Sequence, residues 1–172
     1  MISLYDCSVG AYSQTLGAMA GILEKGRQHF ESGGIDLADI VATRLREDML
    51  PFWFQIVSVC HHSLGAIRGL QAGVFSPPSR EAHLGYENLE ERIGQTLAGL
   101  GSIPADEVNS LAGKDMQFKM GEITIPFTAE NFLLSFSLPN FYFHATTAYD
   151  ILRMKGVPLG KRDFLGRLRI KR

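Results

Sequence analysis

Apolar residues recur from the N-terminus as Tyr5, Val9, Tyr12, Leu16, Met19, Leu23 and Phe30. Steps of three, four and seven trace one face of a helix. Ser32-Gly33-Gly34 ends it, because glycine takes the left-handed geometry of a helix C-terminus without a Cβ penalty. Asp36 or Asp39 then caps a short helical piece through Leu45. A second main helix is predicted from Leu50 to Leu70, with Pro51 in the first turn, where a missing N–H costs least. Its core stripe reads Phe52, Ile56, Val59, Ser63, Ala66 and Leu70. Ser76-Pro77-Pro78-Ser79 breaks the pattern, and Tyr86, Leu89, Ile93, Leu97 and Leu100 mark a third helix. Gly99 and Gly101 close it, and Pro104 with Asp106 and Glu107 starts a short helix to Leu111.

Between Met116 and Phe127 the period falls from 3.6 to 2. A hairpin over 116–127 with Gly121-Glu122 as a two-residue turn pairs Met120 with Ile123, Phe118 with Ile125 and Met116 with Phe127. All six apolar side chains then share one face, and a hairpin this small needs that face to cover something, here one end of the helices. Thr128-Ala129-Glu130 opens the last long helix, in which Pro139 predicts a kink or short break near Leu138. Gly156-Val157-Pro158 stops it. The fold class is therefore all-α: one domain over 1–172, an up-down four-helix bundle with a small hairpin in the connection between helices three and four.

The 172 residues carry 45% hydrophobic and 20% charged side chains, enough for one core and outside the disordered classes. Seventeen basic residues nearly balance eighteen acidic ones, but unevenly. From Lys155 to Arg172 there are seven basic residues and one acid, so the body is acidic and the tail basic. Phe164, Leu165, Leu168 and Ile170 are interleaved in that tail, and no helix-turn-helix, zinc-finger or RNP-like pattern accompanies the charge. The expectation is a segment 157–172 that packs on the bundle or on a second copy, with no nucleic acid as partner. Cys7 and Cys60 form no C-x-x-C pair, and the apolar runs are far shorter than the roughly 20 residues that span a bilayer. A cytoplasmic protein with no membrane contact is expected.

The stretch Leu138-Pro-Asn-Phe-Tyr-Phe-His144-Ala-Thr-Thr-Ala-Tyr149-Asp-Ile-Leu-Arg153, followed by Gly156-Val-Pro-Leu-Gly-Lys161-Arg-Asp163-Phe-Leu-Gly166, resembles a widespread bacterial and fungal family known as a domain of unknown function. That family is placed in the DinB/YfiT-like superfamily of four-helix bundles, and the resemblance extends over Asp48-Met-Leu-Pro51 and the Gln55 to Arg68 helix. It implies a DinB-like bundle. It also implies a divalent metal, zinc or nickel, held by one histidine of the second helix and an H-x-x-x-H pair of the fourth. His62 and His144 match two of those positions; Ala148 stands at the third and cannot ligate.

His144 shares a helical face with Phe141, Ala148 and Ile151 and so points toward the core, where an imidazole needs a partner. A tyrosine, a serine or a backbone carbonyl is expected, with Thr146, Thr147 and Tyr149 nearby. His62 shares its face with Gln55, Val59, Ala66 and Gly69, whereas adjacent His61 is turned about 100 degrees away. His62 and His144 are thus the ligand or metal candidates, and Gln55 and Tyr149 the second-tier pocket candidates. Cys60 reads as packing, and His29 and His83 as surface residues. No Glu-x-x-His occurs, which removes a di-iron site.

Two functions follow. One is a homodimeric small-molecule binding module that has lost the metal triad. The other is a metal-dependent enzyme, thiol transferase-like or hydrolase-like, using His62 and His144 in a pocket between helices two and four. These residues leave open whether the chain is an enzyme. Adjacent Phe141, Tyr142 and Phe143 cannot all turn inward, which is the ground for expecting a homodimer.

Overall fold

The structure, a computed structural model, describes residues 2–79 and 84–171; His83 lies outside the described residues. The chain begins with a single turn, α1 (Leu4–Cys7), closed by a capping box between Ser3 and Asp6. Helix α2 (Val9–Ser32) follows. The apolar periodicity runs through both, yet Ser8 leaves helical geometry at φ −108° and ψ −81°, and its hydroxyl donates to the Leu4 carbonyl. A serine bonding back to its own turn competes with the backbone ladder, and the first helix is split there. Asp36 caps α3 (Leu37–Ala42), which stops short of Leu45.

The second long rod has three parts: α4 (Phe52–Cys60), a π-helical turn π1 (His61–Gly65) and α5 (Ala66–Ala72). Ser63 supplies a local cause, because its hydroxyl donates to the carbonyls of Val59 and Cys60 at 2.8 and 3.0 Å. Gly99 lets the widened turn seat against the third rod, since a Cβ there would stand 2.5 Å from a methyl of Leu64. That third rod is α6 (Tyr86–Gly101), and the short α7 (Ala105–Asn109) ends before Leu111.

Strands β2 (Asp115–Met120) and β3 (Ile123–Thr128) form the expected hairpin with Met120 opposite Ile123, Phe118 opposite Ile125 and Met116 opposite Phe127. Gly121 takes the positive φ of +58° that the turn requires. A third strand, β1 (Val74–Phe75), pairs parallel with β2 and gives the sheet order β1-β2-β3. Two residues are too few to show a period, so this strand was invisible in the sequence. The hairpin's apolar face is only half covered. Met116 and Phe118 are buried, whereas Met120, Ile123 and Ile125 are 48%, 51% and 40% exposed.

The fourth rod runs through α8 (Ala129–Phe132), a second π-helical turn π2 (Leu133–Ser137) and α9 (Leu138–Met154). The break expected near Leu138 takes this form. Pro139 offers no N–H to the carbonyl of Ser135, and its ring crowds that carbonyl, so the turn before it opens. The four rods make a helical bundle whose core includes Tyr12, Phe30, Phe52, Phe132 and Phe141. After it, α10 (Lys161–Leu165) lies on α2: Lys25 pairs with Asp163, Gln14 donates to the Leu165 carbonyl, and Phe164 meets Tyr149 edge-on at 5.7 Å. Leu168 and Ile170 beyond it are exposed.

One buried chain of hydrogen bonds ties three rods. The Ser137 hydroxyl donates to the His62 carbonyl at 2.7 Å, and the Tyr12 hydroxyl, 2.8 Å away, donates to Ser137. The two π-helical turns are therefore joined directly. Ser137→Ala should lower stability by about 1–3 kcal/mol, because it strands the Tyr12 hydroxyl and the His62 carbonyl together. Tyr12→Phe should cost less, since Ser137 still reaches His62. Urea unfolding of both variants checks the order, and a Ser137→Ala protein as stable as the parent would contradict it.

Candidate functional site

The π1 turn sets His62 into the interior, 9% exposed, while its neighbour His61 turns away and contacts the Ser76 carbonyl through Nε2 at 2.7 Å. From the fourth rod, His144 comes alongside. The two rings lie 6.0 Å apart and within 16° of parallel. Phe75 and Phe136 flank His62 at 5.4 and 5.8 Å, and Phe54 and Phe143 flank His144 at 6.1 and 5.3 Å. The pair thus sits among aromatic rings between the second and fourth rods.

Gln55 fixes the orientation of His144. Its side-chain NH2 donates to the Leu50 carbonyl at 2.7 Å, which leaves the amide oxygen facing His144 Nδ1, also at 2.7 Å. That oxygen only accepts, so His144 carries its proton on Nδ1 and keeps the lone pair on Nε2. The partner expected from the fourth helix itself, or from a tyrosine, serine or carbonyl, is instead a buried glutamine two rods away in sequence. Thr147 bonds to the Phe143 carbonyl in its own helix, and Tyr149 rests on Phe164, away from the histidines.

His62 is the less satisfied ring. Its Nδ1 is buried with no hydrogen-bond partner. Burial drives its pKa down to about 3, helped by His61 and His144, and burial alone takes His144 to about 4. Both imidazoles are neutral at neutral pH. Among the described residues, no carboxylate, lysine or arginine figures among the groups acting on either ring.

Neutral imidazoles are the form that binds metal, and a ring nitrogen tied down by Gln55 is typical of a ligating histidine. The donor set stops there. Ala148 is fully buried where the resemblance places a third histidine, and among the described residues no group of three or more His, Cys, Asp or Glu could hold an ion. The residues present do not make the three-histidine set. A separate groove of about 510 Å³ is lined by His61, Arg68, Gln95 and Thr96, between the second and third rods; neither His62 nor His144 lines it. Cys60 is buried and Cys7 half-buried.

The fold is that of a DinB-like helical bundle. A crystal structure of a DinB family member from Shewanella denitrificans matches with a TM-score of 0.80 and 26% identity, covering 98% of this chain and 95% of that one. The chain itself belongs to the family described as Domain of unknown function (DUF1993), whose model matches residues 4–165. No curated protein matches it. Among the described residues no helix is long and apolar enough to cross a membrane.

The depressed imidazole pKa values have a stability consequence. Below the ordinary value of 6.5 the unfolded chain takes up protons that the folded chain refuses. This contribution is complete above pH 6.5 and is lost as pH falls toward about 4 for His144 and about 3 for His62, by up to about 1.4 kcal/mol per pH unit for each ring. His62→Phe should therefore lose less stability than the parent between pH 7 and pH 5. Urea unfolding at both pH values measures it, and equal losses would contradict the burial of a neutral His62.

Proposed function

We propose that this protein is a homodimeric small-molecule binding module whose site is built around the His62–His144 pair. The observation that carries the reading is the pair of neutral imidazoles set side by side among Phe54, Phe75, Phe136 and Phe143, with the His62 Nδ1 unpartnered. Buried polar groups are nearly always satisfied, so an exception beside a second imidazole and exposed aromatic surface suits a site kept for a ligand. Ala148 at the third ligand position supports a function that does not need the metal triad. The homodimer is supported by apolar surface left bare: Phe143 is 56% exposed, and the hairpin end adds Met120, Ile123 and Ile125.

A second reading, a metal-dependent enzyme of thiol transferase or hydrolase type, is favoured by one feature, the Gln55 hold on His144. Elemental analysis after incubation with zinc and nickel separates the two. The binding-module reading predicts no stoichiometric metal; a stoichiometric ion that disappears in both His62→Ala and His144→Ala would replace it with the enzyme. His144→Ala should also cost about 1–3 kcal/mol, since it strands the buried amide oxygen of Gln55. Light scattering at micromolar concentration should give a dimer mass, and a 19.0 kDa species would remove the assembly.

A further inference from the structure

We propose that the groove between the second and third rods binds a small organic oxyanion, a carboxylate or phosphate on a compact apolar body, through Arg68 and Arg92. This site is separate from the His62–His144 pair, because neither ring lines the groove. Room is its first support. The groove measures about 510 Å³, within the range of about 300–1,000 Å³ that holds small molecules. Its walls are built on regular elements. Helix α5 carries Arg68 and α6 carries Arg92, so the two guanidinium groups come from different rods. Pro77 and Pro78 line the groove beside them, and their rings fix the backbone there before any ligand arrives.

The lining also fixes what a ligand must offer. A guanidinium only donates hydrogen bonds and keeps its charge at any pH the fold survives, so the two arginines call for negatively charged acceptors. Carboxylate and phosphate oxygens meet the planar fork two at a time. Among the described residues no carboxylate lines the groove, although the chain before Lys155 carries more acids than bases. Arg68 is exposed and makes no ion pair among the described residues; the pairs they do form, Lys25 with Asp163 and Arg27 with Glu90, lie elsewhere. Arg92 is half-buried on the facing rod, where its attraction for an anion is screened less than on open surface. The floor has the opposite character. Val57 and Leu64 line it and are buried, so the body that carries the oxyanion meets hydrocarbon there.

The test titrates phenyl phosphate, benzoate and the neutral benzyl alcohol into the full-length protein at neutral pH and physiological salt, followed by calorimetry and by the Nε–Hε resonances of Arg68 and Arg92. At least one of the two anions should bind saturably, shift both resonances and bind about tenfold or more tighter than the alcohol. The tighter of the two identifies the oxyanion as phosphate or carboxylate. Arg68→Gln and Arg92→Gln should each weaken that binding by about ten- to a hundredfold, the worth of a hydrogen bond to a charged group. Arg46→Gln removes the same charge from a loop that does not line the groove, and should change the affinity by no more than about twofold. Arg68 is exposed, so its variant decides the matter if Arg92→Gln fails to fold. Alcohol binding as tight as that of the anions, equal losses in Arg46→Gln and Arg68→Gln, or no saturable binding of either anion would each overturn the assignment.

Discussion

The hydroxyl of Ser137 holds the site together. It bonds to the carbonyl of His62 and receives the proton of Tyr12, so a single buried side chain fixes the relative height of the second and fourth rods against α2. Both rods are wound as π-helix at that level, at His61–Gly65 and Leu133–Ser137. A π-helical turn adds a residue and displaces the groups that follow it, which is costly unless the freed backbone finds partners. Here the serine at the end of one turn satisfies a carbonyl in the other. Joining them brings His62 and His144 to 6.0 Å from opposite helices.

This arrangement explains why the two imidazoles differ. His144 belongs to a polar string that begins at the Leu50 carbonyl and passes through the Gln55 amide, so its tautomer is set by the protein. His62 is anchored by its backbone and surrounded by rings, so its side chain has burial without satisfaction. Burial without a compensating carboxylate keeps both rings uncharged. Ala148, fully buried on the same helix as His144, offers no further donor. The pair is uncharged and surrounded by aromatic rings.

The bundle was legible because its signals are long. Seven periodic positions from Tyr5 to Phe30, and the switch to alternation at Met116, each repeat often enough to fix an element, and the hairpin register followed from Gly121-Glu122 alone. Short or tertiary features were not. Strand β1 has two residues, the split at Ser8 depends on a hydroxyl choosing Leu4, and both π-helical turns preserve the outward look of an unbroken helix pattern. His144 was read from the sequence as facing the core, and Gln55 and His62 as sharing one face because their spacing is two helical turns; the structure buries Gln55 and His62 and half-buries His144. The bond from Gln55 to His144 spans 89 residues and has no trace in local spacing, and the same is true of Ser137 and Tyr12. Tyr149 reads from the sequence as part of the pocket, and the returning α10 occupies it through Phe164 instead.

Two uncharged imidazoles sit side by side, one held by Gln55 and the other enclosed by aromatic rings. Nitrogen-15 NMR of the histidine side chains measures both charge and tautomer as a function of pH. His62 and His144 should stay neutral down to pH 5, with the proton of His144 on Nδ1. Titration of either ring near pH 6.5, or a neutral His144 protonated on Nε2, would contradict this arrangement.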